Sequence, residues 1–169
     1  YKVTNVFDIS KTEGDPIETL DAVELTAGVE NYAEFLQAVG KVAPVPIRFD
    51  ELTGQTKGYF HTVKQEIVIQ KGMAESQTLK TAIHETAHSL LHNKEKMAEQ
   101  EDLKNRQTKE VEAESVAFVV CSAFGLDTAE YSFPYIAGWS SGKEMTELKA
   151  SMDVIRKTAG EMIDELTEK

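Results

Sequence analysis

Apolar residues recur with two different periods along the chain. At 28–39 the spacing of Val29, Tyr32, Ala33, Leu36 and Val39 is helical, and Gly40 stands where a C-terminal cap is expected. Three short β-like runs follow, at 45–49, 58–63 and 66–70, and they predict a small antiparallel or mixed sheet. A longer helical pattern opens near Ser76 and runs through Leu79, Ile83, Ala87, Leu90 and Leu91. Two more helices are expected, at about 109–124 with Gly125 as its stop and at about 143–166. Before all of these, residues 1–27 hold one alternating run (Val3, Asn5, Phe7, Ile9) and the turn-prone Glu13-Gly14-Asp15-Pro16, which reads as an N-terminal arm. Residues 28–169 then form one domain. The charged stretch from Asn93 to Thr108 reads as a solvated connection, and the aromatics Tyr131, Phe133, Tyr135 and Trp139 share a loop. Strands early, helices late and no strand–helix alternation make the fold class α+β.

Composition narrows the function classes. A length of 169 residues suits a single hydrophobic core. With 29 acidic against 18 basic residues the net charge is −11, a field that repels phosphate backbones and anionic membranes, so no direct nucleic-acid or membrane partner is expected. The single cysteine, Cys121, has no partner for an internal disulfide, which fits a reducing cytoplasm. On the apolar face of its helix, it reads as a buried small hydrophobe. The longest strongly apolar stretch, Val116 to Cys121, falls far short of the ~20 residues that span a bilayer. No signal peptide is visible, and a chain that opens at Tyr1 reads as a segment of a longer protein.

The chemistry concentrates in His84-Glu85-Thr86-Ala87-His88. Two histidines four apart on a helix project their imidazoles from one face about one turn apart, which clamps a single metal ion. The intervening Glu85 is rotated just far enough to reach a water on the metal rather than the metal itself, the place of a general base. A catalytic zinc needs a third protein ligand, and the acidic helix start Glu110-Val111-Glu112-Ala113-Glu114, which begins 22 positions beyond the second His, supplies candidates. Glu110 and Glu114 share a face, one to bind metal and the other to orient a ligating His, whereas Glu112 points about 200° away. Asp102 is a weaker alternative ligand in a stretch without helical pattern. His92 continues the series, but a rise of about 12 Å from His84 keeps the two off one ion. It reads as a structural or rim histidine.

Other patterns do not carry a site. Gly138-Trp139-Ser140-Ser141-Gly142 matches a serine nucleophile elbow, yet all four histidines precede it and a catalytic His should follow. The same segment lacks the spacing and the Ser or Thr of a phosphate loop. Leu91 and Lys94 stand where metzincins carry Gly and a third His.

The HExxH segment with Leu90-Leu91-His92, followed by Glu110-x-Glu112-Ala113-Glu114-x-x-Ala117-Phe118, resembles the ImmA/IrrE-type zincin metallopeptidases. More narrowly it resembles the peptidase-like domain of the ArdC/LtrC antirestriction proteins of conjugative elements, as do Asn5 to Thr12 and the aromatic loop at 131–142. The resemblance implies a zincin-like fold, a small sheet over the active-site helix with further helices behind it. It also makes Glu110 the third zinc ligand and gives Glu114 the place behind the first His, where the family usually has Asp or Asn.

On this basis the expected activity is zinc-dependent hydrolysis of peptide bonds. His84, His88 and Glu110 hold Zn2+, and Glu85 shuttles the proton of the attacking water. The expected substrate is a protein or peptide, in particular a regulatory or host-defence protein met during mobile-element transfer. A strand beside the cleft, 58–63 or 66–70, would pair with an extended substrate. Tyr131, Tyr135 and His61 are candidate oxyanion or substrate contacts. The alternative is a zinc-stabilised module that binds a host protein without cutting it. The sequence leaves the oligomeric state open.

Overall fold

The computed structural model describes residues 24–93, 106–132 and 145–168. Asp102, Tyr135, the 138–142 segment and the arm before residue 24 lie outside them. The described elements run α1 (Tyr32–Val42), β1 (Ile47–Asp50), β2 (Gly58–His61), β3 (Glu66–Gln70), α2 (Glu75–Leu91), α3 (Arg106–Ala123) and α4 (Met145–Thr167). The class is α+β with a three-stranded mixed sheet, consistent with a zincin-like arrangement.

Strand order is β1-β3-β2. β3 pairs antiparallel with β2, Tyr59 opposite Val68, and parallel with β1, Arg48 also opposite Val68. A purely antiparallel meander is therefore not formed. The last strand in sequence slots between the first two, and its consecutive Ile67, Val68 and Ile69 are all fully buried. A run buried on both faces is what a central strand carries. The turn into β3 places Gln65 in the left-handed region, φ 52°. His61 Nδ1 accepts the backbone N–H groups of Val63 and Lys64 there, each at 3.3 Å.

The first helix differs from its expected bounds. It starts after Asn31, itself left-handed at φ 55°, and runs through Gly40 to Val42. Ala43 then turns extended, because the ring of Pro44 disfavours a helical residue before it. Pro44, not Gly40, stops the helix. Gly125 does close α3, with φ 75° and its N–H bonded to Ser122 O.

α2 is the central element. Its Ala82, Ile83 and Ala87 meet Ala113, Val116, Ala117 and Val120 of α3, with Ile67 and Ile69 of the sheet and Ala159 and Met162 of α4 in the same core. Small side chains on the facing surfaces of α2 and α3 let the two helices approach closely. Helix α2 also buries polar residues, among them Lys80, Thr81, Thr86 and Ser89. Its first turn is tied down from upstream: Glu75 Oε2 accepts Val29 N–H at 2.7 Å and Gln77 Oε1 accepts Leu25 N–H at 3.3 Å. β2 lies against α2 where Gly58 has no side chain, and a Cβ there would stand 2.7 Å from Thr81 Cγ2.

Candidate metal centre

His84 and His88 project from consecutive turns of α2 toward Glu110, one turn into α3. Their Nε2 atoms are 3.1 Å apart, and Glu110 Oε2 lies 3.7 Å from the first and 3.5 Å from the second. The nearest point equidistant from the three atoms is about 2.0 Å from each, and a point slightly off their plane keeps all three within the ligand distance of zinc to nitrogen and carboxylate oxygen. Two imidazoles and a carboxylate converging in this way fit a metal with one position left open. Among the described residues this is the group of His and carboxylate side chains placed to hold a metal ion.

Each histidine is also held from behind. Glu114, 3 % exposed, puts Oε2 2.9 Å from His84 Nδ1, off the direction of a ring N–H, so the contact is an ion pair rather than an aligned hydrogen bond. The same oxygen is 2.6 Å from Lys80 Nζ, and Oε1 accepts Ser132 Oγ–H at 2.7 Å. Lys80 sits one turn before His84 on α2, buried, with its ammonium 3.7 Å from the Tyr131 ring centre. Behind His88, Nδ1 lies 2.9 Å from His92 Nδ1, and His92 Nε2 lies 3.2 Å from Glu112 Oε2. Glu112 is completely buried and accepts Ser151 Oγ–H of α4 at 2.7 Å.

These charges shift one another in the metal-free protein. Burial disfavours the imidazolium of His84, but Glu110 and Glu114 outweigh it and push His84 up to about 9. His84 and His88 hold Glu110 well below the usual carboxylate range. Burial opposes the charge of Glu114, yet His84 and Lys80 keep it down at about 2. Lys80 is lowered by burial against the pull of Glu114. His92 is likewise lowered, chiefly by burial.

The group opens on a cleft of about 650 Å³ lined by Gly58, Tyr59 and Phe60 of β2, by Glu85, His88 and His92, and by Arg106, Lys109 and Glu110 of α3. Glu85 is 7 % exposed, with its accessible surface on that cleft. Two other sequence candidates stand elsewhere. His61 holds the β2–β3 turn, and Tyr131 stacks on Lys80; neither is among the cleft-lining residues.

His92, read as a structural or rim histidine, is 6 % exposed, lines the cleft and is held between His88 and Glu112. Glu112 points away from the metal group, toward His92 and Ser151 of α4. The stretch read as solvated also ends earlier, since Thr108 is buried within α3. Lys80, Ser132 and Ser151 were missed because their partners are 34, 18 and 39 positions away.

The model of the Peptidase_M78 family, described as the IrrE N-terminal-like domain, matches residues 41–158, and the chain belongs to that family. Its class is therefore that of a metal-dependent peptidase domain. The chain is also similar to a protein of Bacillus anthracis called "Uncharacterized protein pXO2-81", 39 % identical over 105 residues. That match covers 62 % of this chain but 17 % of the relative, so the chain spans less than a fifth of that protein's length. No solved structure matches the chain. Among the described residues no helix is long and apolar enough to cross a membrane.

Proposed function

We propose that this chain is a zinc metallopeptidase domain in which His84, His88 and Glu110 hold the metal and Glu85 is the general base. The observation that carries the proposal is the convergence of three donor atoms at mutual distances of 3.1–3.7 Å, open to a cleft that Glu85 also lines. Two imidazole nitrogens and one carboxylate suit zinc better than the oxygen-seeking magnesium or calcium. When bound, zinc supplies Lewis acidity for the scissile carbonyl and lowers the pKa of water. Glu85 accepts a proton from the attacking water and returns it to the amine that leaves. Substrate lies along β2, whose outer edge has no strand partner among the described residues and can pair with an extended peptide.

The resemblance of the sequence to the ArdC/LtrC proteins supports a finer role, cleavage in the cytoplasm of a regulatory or host-defence protein met when a mobile element is transferred. Glu85→Gln tests the reading, since it keeps size and polarity while removing the base. The variant should bind zinc and melt like the parent, and lose hydrolysis of unfolded casein or of recipient-cell restriction and repressor proteins. A parent that cleaves nothing, together with a Glu85→Gln variant that keeps its full effect in cells, would replace the peptidase with a zinc-stabilised binding module.

A further inference from the structure

We infer that His92, with Glu112 behind it, is a positioning residue that fixes the tautomer and ring orientation of His88 and so sets the strength of the metal site. The inference rests on the metal-centre reading above and concerns residues to which that reading gives no role. A histidine that binds metal through Nε2 must carry its hydrogen on Nδ1. For His88 that hydrogen has one described neighbour in reach, His92 Nδ1 at 2.9 Å. His92 can accept it only if its own hydrogen sits on Nε2, and there Glu112 Oε2 waits at 3.2 Å. Glu112 in turn accepts Ser151 Oγ–H at 2.7 Å. Every donor in the chain Ser151–Glu112–His92–His88 thus meets an acceptor in a single tautomeric arrangement.

Glu112 lies two positions from Glu110 on α3, on the far side of the helix from the metal group. It cannot reach His88 itself, and the His92 ring spans the gap. The arrangement is a carboxylate–histidine–metal triad with a second imidazole inserted, and it transmits carboxylate charge to the ligating nitrogen, raising its basicity. It also reaches α4 through Ser151, so the C-terminal helix is hydrogen-bonded to the line that holds His88.

The test is zinc affinity, measured by chelator competition on folded protein, in His92→Phe and Glu112→Gln. Phenylalanine keeps a ring but neither nitrogen; glutamine keeps the shape and an oxygen for Ser151 but removes the charge. His92→Phe should weaken zinc by about 10 to 100-fold. Glu112→Gln should weaken it less, but measurably, and should shift the visible spectrum of the cobalt-substituted protein. In the parent, the ring hydrogens on His88 Nδ1 and His92 Nε2 should appear as slowly exchanging proton signals, and His92→Phe should remove both. Parent-like zinc affinity in Glu112→Gln overturns the inference, and because one atom changes, that variant decides even if His92→Phe does not fold. A parent that binds no zinc would instead bring down the metal-centre reading itself, whereas loss of peptidase activity alone would touch neither result.

Discussion

The ground behind His84 and the ground behind His88 are built differently. Behind His84 stands a buried ion pair, Glu114 with Lys80, the lysine capped by the Tyr131 ring. Behind His88 stands a second imidazole, and only then a carboxylate. Yet both carboxylates come from one helix, two residues apart, and both accept a serine hydroxyl at 2.7 Å. Alternate positions on a helix point about 200° apart. Three glutamates on α3 therefore reach three surroundings: Glu110 the open cleft, Glu114 an ionic interior, Glu112 a histidine-lined one. Identical side chains take different duties because α3 is enclosed where Glu112 and Glu114 point and open to the cleft where Glu110 does.

The largest expected effect removes what the two regions share. Purified without added metal, the parent should carry one zinc per chain, and His84→Ala with His88→Ala should abolish it; elemental analysis decides. A zinc content unchanged by the double substitution would end the comparison at its root.

Next in size is Lys80→Met, which takes the buried ammonium from Glu114 and leaves its carboxylate to His84 and Ser132. Loss of one partner from a buried pair costs about 3–5 kcal/mol. At about 2–4 °C per kcal/mol for a chain of this size, Tm should fall by roughly 6–20 °C. Adding Glu114→Met should recover most of the stability, because an apolar pair of similar volume replaces the ionic one. Zinc affinity should not recover with it, since His84 then lacks the carboxylate behind it. If calorimetry shows a small loss for Lys80→Met, the ionic character assigned to the His84 side is wrong.

The first of these layers was open to sequence and the next was not. An i, i+4 histidine pair fixes its own geometry as soon as the segment is helical, and helical phase alone put Glu110 and Glu114 on one face. The rise of the helix sets His92 apart from an ion held by His84. Helical rise fixes distance to an ion and says nothing of what the Nδ1 of His88 faces. Helical phase turned Glu112 away from the metal group but could not say what it would meet, because angle around α3 says where a side chain points and not what lies there. Lys80 gave no local sign beyond standing one turn before His84, its partner being supplied by a helix that the chain forms later. The parallel pairing of β1 with β3 was equally hidden, since strand composition does not record chain path.

A smaller effect compares the two serines. Ser132→Ala and Ser151→Ala each remove a buried hydroxyl from a carboxylate, and hydrogen bonds to charged groups are worth about 1.5–3 kcal/mol. Ser132→Ala should fall at the lower end, because Lys80 still neutralises Glu114. Ser151→Ala should also loosen α4, read as faster amide exchange over 148–155. Equal losses, with α4 unchanged, would remove the distinction between the two regions as far as their serines report it.

The smallest effect belongs to Cys121, a fully buried residue of α3 whose thiol feels the charges of Lys80 and Glu114 and so reports on the ionic side alone. Burial pushes this thiol up to about 12 from an ordinary 9.0. The folded-state value is the higher one, so the stability tied to the neutral thiol is complete below pH 9 and is lost as pH rises from there toward 12. Over that window the unfolded chain releases the proton and the folded chain keeps it, a slope of up to about 1.4 kcal/mol per pH unit. Other groups titrate in the same range, so the measurement is a difference. Urea melts of the parent and of Cys121→Ala, run at pH 8, 9, 10 and 11, should show the parent losing its margin over the variant only above pH 9. His92→Phe should leave that difference unchanged, while Lys80→Met should alter it, because the lysine's charge favours the thiolate. A difference that does not vary with pH would mean that water reaches the thiol and that the ground behind His84 is less enclosed than its ion pair implies.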